Sequence, residues 1–243
     1  MANLTQLHLL EGLSGFLLID KPTGLSFSTI VKTVKRKFNL TKVGHGGSLE
    51  TAASGLLILL INDANRYCND IMGMDRSYSG EMTLGITTNT HDIQGAVTAT
   101  QPVAESLDFT AALAACSGDI FQTESRWSAI RKEQSAFYEV VDTGEHKVQM
   151  AHVYSLKLGE PGAVTAEGTR VLPFTLRATK GLIVRTLVND FGQELGCGAA
   201  LSALRRLRMG RFSIDEALSF DQILAAEQAD LPALVQPMAR MMA

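Results

Sequence analysis

The segment Gly44-His45-Gly46-Gly47-Ser48-Leu49-Glu50 sets a single carboxylate in a glycine-rich loop, a few residues ahead of the apolar run Leu56-Leu57-Ile58-Leu59-Leu60. Glycine lets backbone come close to a ligand, and an acidic side chain beside such backbone is suited to nucleophilic or acid–base work. An isolated Glu in a loop also commonly serves as a surface or capping residue, so the loop alone leaves both readings open. The second chemical feature is segregated positive charge. No acidic residue lies between Lys21 and Leu49, where Lys21, Lys32, Lys35, Arg36, Lys37 and Lys42 are cationic, and none lies between Leu195 and Ile214, which carries Arg205, Arg206, Arg208 and Arg211. Such clusters can contact nucleic-acid phosphates with salt-sensitive affinity, or can be ordinary solvated faces.

The elements that must position these groups follow from periodicity. Residues 15–19 read as a buried strand. Residues 26–38 read as a helix, with Ser26 as N-cap and Phe27, Ile30, Val31, Val34 and Phe38 at helical spacing. That spacing turns Lys32, Lys35, Arg36 and Lys37 mostly outward. A second buried strand is expected over 56–61, directly after the Glu50 loop, then a short helix over 62–72 and a strand over 77–84. Another helix is expected near 106–116, with strands near 151–158 and 171–179. Val184, Leu187, Val188, Phe191 and Leu195 mark an amphipathic helix that Gly196 and Gly198 would end. The order is α+β, with long excursions between strands and no regular βαβ repeat. No internal repeat or low-complexity segment is present.

Six blocks in fixed order carry a family resemblance. The Glu50 loop resembles the catalytic loop G-H-x-G-x-L-D-P of the TruB/dyskerin family of pseudouridine synthases, with Glu50 at the Asp position and Thr51 for Pro. Gly15 to Ser26 resembles the opening strand and D-K-P-x-G-x-S turn. Arg76-Ser77-Tyr78 through Gly85, then Thr88 to Gly95, resembles the K-x-Y strand and T-D-T-x-D-x-x-G loop, with Asn89 for Asp. Gln122 to Arg131 resembles Q-x-P-P-x-Y-S-A-x-K, with Glu124-Ser125 for the prolines, Trp127 for Tyr and Arg131 for Lys. Lys180 to Leu187 resembles G-T-Y-I-R-T-L, with Ile183 where the family has Tyr, and Gly196 through Arg206 resembles L-G-C-G-A-x-L-x-x-L-R-R. The similarity spans roughly residues 14 to 220.

The resemblance implies a pseudouridine synthase catalytic fold, a mixed, mostly antiparallel sheet flanked by helices. It implies isomerisation of the T-arm loop uridine of tRNA, position 55, by base flipping. Glu50 would supply the catalytic carboxylate, Arg185 would pair with it, and Tyr78 would stack on the extruded base. His45 would fill the gap left in the RNA, while Lys21, Lys35, Arg36, Lys37, Arg205 and Arg206 would contact phosphates. No metal or organic cofactor is implied, because the isomerisation needs neither electrons nor an activated group. Ordinary roles for these residues are also open: Tyr78 as core, Arg185 paired with Asp190 or Glu194, His45 on a loop carbonyl. Glu is one methylene longer than Asp, and misplacement of about 1 Å can cost on the order of 100-fold in rate. Two classes of function therefore stand: a tRNA uridine isomerase, and a catalytically impaired or silent RNA-binding relative of the same fold.

Composition sets the outer bounds. With 243 residues, 46% of them hydrophobic and 19% charged, the chain can bury a full core as one or two globular domains. The net charge of −3 does not exclude an RNA partner, because Asp215, Glu216, Asp221, Glu227 and Asp230 offset the cationic clusters. Cys68, Cys116 and Cys197 share no C-x-x-C spacing, which suggests neither a zinc site nor a disulfide framework. No apolar run is long enough to cross a bilayer and no basic leader opens the chain, so cytoplasmic residence is expected; the partner implied by the resemblance is a tRNA stem-loop, and a monomer is expected. A catalytic domain over 1–213 is expected to be followed by a short, acidic, helical tail over 214–243 in place of a PUA-type module. The RNA-clasping insertion, Lys132 to Met150, reads as short.

Overall fold

The computed structural model describes residues 12–123 and 148–241. In chain order the elements are β1 (Gly15–Lys21), α1 (Phe27–Lys37), β2 (Val43–His45), β3 (Ser54–Ile61), a 3-10 turn (Asn62–Tyr67), α2 (Cys68–Met72), β4 (Arg76–Leu84), β5 (Ile86–Thr88), β6 (Val97–Thr100), α3 (Thr110–Ala115), β7 (Gly118–Thr123), β8 (Val148–Leu158), β9 (Arg170–Ala178) and α4 (Val184–Glu194). Then follow β10 (Ala199–Met209), β11 (Phe212–Ser213), β12 (Leu218–Ser219), α5 (Phe220–Ala225), α6 (Leu231–Leu234) and β13 (Gln236–Pro237). The α+β class with a mixed, mainly antiparallel sheet is as expected. Each element anticipated by periodicity is present, with the stretch 62–72 divided between the 3-10 turn and α2.

The chain divides into two compact units, one formed by residues up to Arg76 together with those from Arg205 onward, the other by Ser77–Leu204. The boundary expected at 213 coincides with neither division.

In the first unit β1 lies antiparallel to β3 over its whole length, and β3 runs parallel to the end of β10, with Arg205 beside Ser54 and Arg206 beside Gly55. The uninterrupted apolar run in β3 exists because both of its faces are covered. Leu57, Leu59 and Ile61 pack with Leu17 and Ile19, with Ile30, Val34 and Phe38 of α1, and with Phe220 and Ile223 of α5. Leu56, Ile58 and Leu60 pack on the other side with Phe16, Leu18, Ile71, Met209 and Phe212. Ser26 caps α1, its hydroxyl accepting from the Thr29 amide at 3.1 Å, and Lys35, Arg36 and Lys37 occupy the last turn, where cations suit the helix dipole. The segment read as a helical tail contains α5 and α6 but also the two short strands β12 and β13. Both pair with β1, so this segment is part of the sheet of its unit.

In the second unit β7, β8 and β9 pair antiparallel and β4 follows β9. A single apolar cluster joins Tyr78, Met82 and Leu84 of β4 to Leu172, Phe174 and Leu176 of β9, Val184, Leu187, Val188 and Phe191 of α4, and Leu201 of β10. No helix among the described residues is long and apolar enough to cross a membrane.

Candidate functional site

In the first unit the Glu50 loop is built by backbone pairing at one end and by two buried cations. His45 ends β2 opposite Leu59, and the Gly46 amide donates to the Ile58 carbonyl at 2.9 Å. A Cβ on Gly46 would run into the Ile71 side chain, so that position requires glycine. Arg206 is 1% exposed, and its guanidinium donates through Nε to the Leu56 carbonyl at 2.8 Å, through Nη1 to Ser48 at 3.0 Å and through Nη2 to Gly47 at 3.2 Å. Lys21, fully buried, grips the other side of the loop: its ammonium donates to the carbonyls of Ala53 at 2.6 Å, Pro22 at 2.9 Å and Thr51 at 3.3 Å. Burial, with Arg206 nearby, pushes the Lys21 ammonium down to about 8. Glu50 is exposed between these two holds, and its own carbonyl accepts from the Ala53 amide at 3.1 Å.

Two of the expected phosphate contacts are corrected by this arrangement. Lys21 and Arg206 spend their donors on loop and strand carbonyls inside the protein and present no charge to solvent. Arg205 is half-buried and engages Asp20. Lys35 and Arg36 are exposed as expected, while Lys37 donates to the Leu224 carbonyl at 2.8 Å. The half-buried His45 ring lies 4.7 Å from the Phe27 ring, centroid to centroid, with the planes tilted by 57°.

In the second unit Arg185 and Tyr78 are both buried, at 6% and 8% exposure. The Arg185 Nη1 lies 3.9 Å from Asp92 Oδ2, an ion pair within this unit that the sequence reading, with Glu50 as the implied partner and Asp190 or Glu194 as ordinary alternatives, did not include. Asp92 is itself fixed by its loop. Its Oδ1 accepts from the Thr90 hydroxyl at 2.9 Å and the Gln94 amide at 3.0 Å, and its carbonyl accepts from the Thr88 hydroxyl at 2.7 Å. Asn89 keeps the acceptor that an Asp would supply, its Oδ1 taking the Ala96 amide at 2.9 Å. Gln122 fixes the start of α4 from both sides: the Ile183 amide donates to its Oε1 at 2.9 Å and its Nε2 donates to the Ile183 carbonyl at 3.2 Å. Both Asp92 and Gln122 lie within the quoted motifs, and that was the signal that could have found them. The motif positions from Glu124 to Arg131, and Lys132 to Lys147 of the insertion, lie outside the described residues. No group of His, Cys, Asp and Glu suited to a metal ion occurs among the described residues.

Comparison with known proteins adds the following. Residues 35–181 match the family model described as TruB family pseudouridylate synthase (N terminal domain), and residues 185–243 match the one described as tRNA pseudouridylate synthase B C-terminal domain. The protein named tRNA pseudouridine synthase B in Opitutus terrae is 37% identical over 218 residues, covering 88% of each chain. That of Aromatoleum aromaticum is 36% identical over 227 residues, covering 92% of this chain and 72% of its own. Among solved structures, a chain of a Cbf5-Nop10-Gar1 complex matches with a TM-score of 0.66 at 24% identity, over 93% of this chain and 60% of that one. A chain of an archaeal box H/ACA sRNP Nop10-Cbf5 complex matches with a TM-score of 0.67 at 21% identity, over 98% of this chain and 63% of that one. At such identity these likenesses concern the fold, and this chain spans less than two thirds of either.

Proposed function

Since the chain belongs to the TruB family of pseudouridine synthases, we propose that it acts as a tRNA pseudouridine synthase on the uridine of the T-arm loop, position 55. The reaction is an isomerisation: the bond from ribose C1′ to base N1 breaks, the uracil turns, a C1′–C5 bond forms, the C5 proton is lost and N1 gains one. Glu50 is the carboxylate assigned to the sugar, acting as nucleophile or as the charge that stabilises the cationic sugar. Tyr78 is assigned to stack on the flipped uracil and Arg185 to fix the carboxylate's charge and aim. The exposed cations Lys35 and Arg36 would hold phosphates, and His45 would enter the gap in the loop.

The observation that carries this reading is the fixed presentation of Glu50. Despite Thr51 in place of proline, the loop is gripped at Gly47 and Ser48 before the acid and at Thr51 and Ala53 after it. Proline would stiffen the backbone at that point, and the bonded carbonyl, which any residue supplies, is retained. The test is tritium release from a T-arm stem-loop transcript carrying 5-tritiated uridine. The wild-type chain is expected to release it and Glu50→Gln to release none while binding the RNA with similar affinity. Turnover retained in Glu50→Gln would defeat the assignment, and a silent wild type that still binds would support a pseudoenzyme.

A further inference from the structure

Gly55 sits in one row with Lys21 on β1 and Arg206 on β10, so two buried cations flank a residue with no side chain. Gly55 has φ +103, and a Cβ there would stand 2.7 Å from the Arg206 amide nitrogen and 3.0 Å from its carbonyl carbon. The glycine therefore lets β10 press against the start of β3. Arg206 is thereby placed where one guanidinium reaches the carbonyl of Leu56, inside β3, and those of Gly47 and Ser48, inside the loop. A planar fork that bonds strand and loop together fixes the loop against the strand; an ammonium, with no fork, could not span the same three acceptors.

We propose, resting on the reaction assigned above, that Arg206 is a positioning residue for Glu50. It acts through the loop backbone and not as a contact to RNA. The assignment follows from where its donors go. All three nitrogens end on carbonyls, two of them only two and three residues before the acid, and 1% exposure leaves no face for a phosphate. A buried arginine that merely filled the core would have no reason to bond residues on both sides of the loop entry. Displacement of a reacting group by about 1 Å suffices to slow catalysis on the order of 100-fold.

The experiment compares full-length wild type, Arg206→Lys and Arg206→Ala. Tritium release and RNA affinity are measured on the stem-loop, and amide exchange is followed across residues 46–53. Positioning predicts a kcat lower by about 100-fold in Arg206→Lys with a Kd within about twofold of wild type. It predicts amide exchange at Gly46 and Ala53 faster by at least tenfold, with the strands of the second unit unchanged. It also predicts that guanidinium ion at millimolar concentration restores at least tenfold of the lost kcat in Arg206→Ala, whereas equal sodium chloride restores none. A raised Kd with unchanged kcat would make Arg206 a phosphate ligand and overturn the proposal. So would a loss of activity that only tracks the folded fraction, or failure of both variants to fold. If wild type itself releases no tritium, the assigned reaction fails, and loop exchange unaltered in Arg206→Lys would defeat the clamp separately.

Discussion

Arg205 closes on Asp20 through two parallel bonds, Nη1 to Oδ1 at 2.9 Å and Nη2 to Oδ2 at 2.6 Å, reaching past β3 from the strand position next to Arg206. Two consecutive arginines thus do different things: one is matched by a carboxylate at a half-exposed position, the other is enclosed and bonded to carbonyls. The cationic stretch that includes them therefore offers RNA much less positive charge than its composition suggests.

Salt dependence of RNA binding should separate the two clusters. Replacing Lys35 and Arg36 with Ala is expected to flatten the slope of log K against log salt by roughly 1 per contact removed, whereas Arg205→Ala changes it little because Asp20 already balances that charge. The check is a binding titration across salt concentrations. An unaltered slope in the Lys35/Arg36 variant would remove this helix face from the RNA contact.

Removing only the charge of Asp92 should expose the cost of breaking a buried ion pair. Asp92→Asn keeps an oxygen for Thr90 and Gln94 but breaks the ion pair with the buried Arg185, a change that typically costs about 3–5 kcal/mol. At about 2–4 °C per kcal/mol for a chain of this size, Tm should fall by roughly 6–20 °C. Calorimetry checks this, and a shift below about 2 °C would mean that the pair at 3.9 Å contributes little.

Shortening the acid tests whether the loop can follow it. With carbonyls held on both sides of Glu50, the backbone has little room to advance, so Glu50→Asp should draw the carboxylate back and lower kcat by about tenfold or more at unchanged RNA affinity. Single-turnover rates on the stem-loop decide it. A faster Asp variant would show that the longer side chain is a handicap in this chain.

Thiol chemistry reports on the closure of the second unit. Burial, with Asp190 and Glu194 adding to it, pushes the Cys116 thiol up to about 12, and burial raises Cys197 as well. At pH 8 Cys116 is thiolate to only about one part in 10,000. Iodoacetamide at that pH should label the half-buried Cys68 and spare the other two, as read by peptide mass; rapid labelling of Cys116 would mean that its surroundings open readily.

Much of this was legible in the residues. The helix carrying Lys35 and Arg36 declares itself by its 3.6-residue period and its serine cap, and the Glu50 loop by its glycines, of which Gly46 is required by the packing of Ile71. What stayed hidden depends on partners far along the chain. A strand with Arg205, Arg206 and Arg208 reads as a solvated basic stretch, because nothing local says that three carbonyls some 150 residues earlier enclose the middle one. Lys21 is misleading for the same reason. The acidic residues after 214 suggested solvent-facing helices, and only the register against β1 shows two of its segments to be strands.

That register has a consequence for how the molecule is made. Leu218 and Ser219 pair with Ile19 and Asp20, and Gln236 and Pro237 with Phe16 and Gly15, so β1 draws its partners from both extremes of sequence separation. During synthesis β1 and β3 both emerge early, joined through α1 and β2, and the continuous stretch Ser77–Leu204 can follow and fold as it appears. The first unit must then wait, its outer edge unpaired, for residues translated about 200 positions later. Contacts of such long range are slow to form, so the closing of the chain's late segment onto its earliest strand is expected to be a slow step of folding.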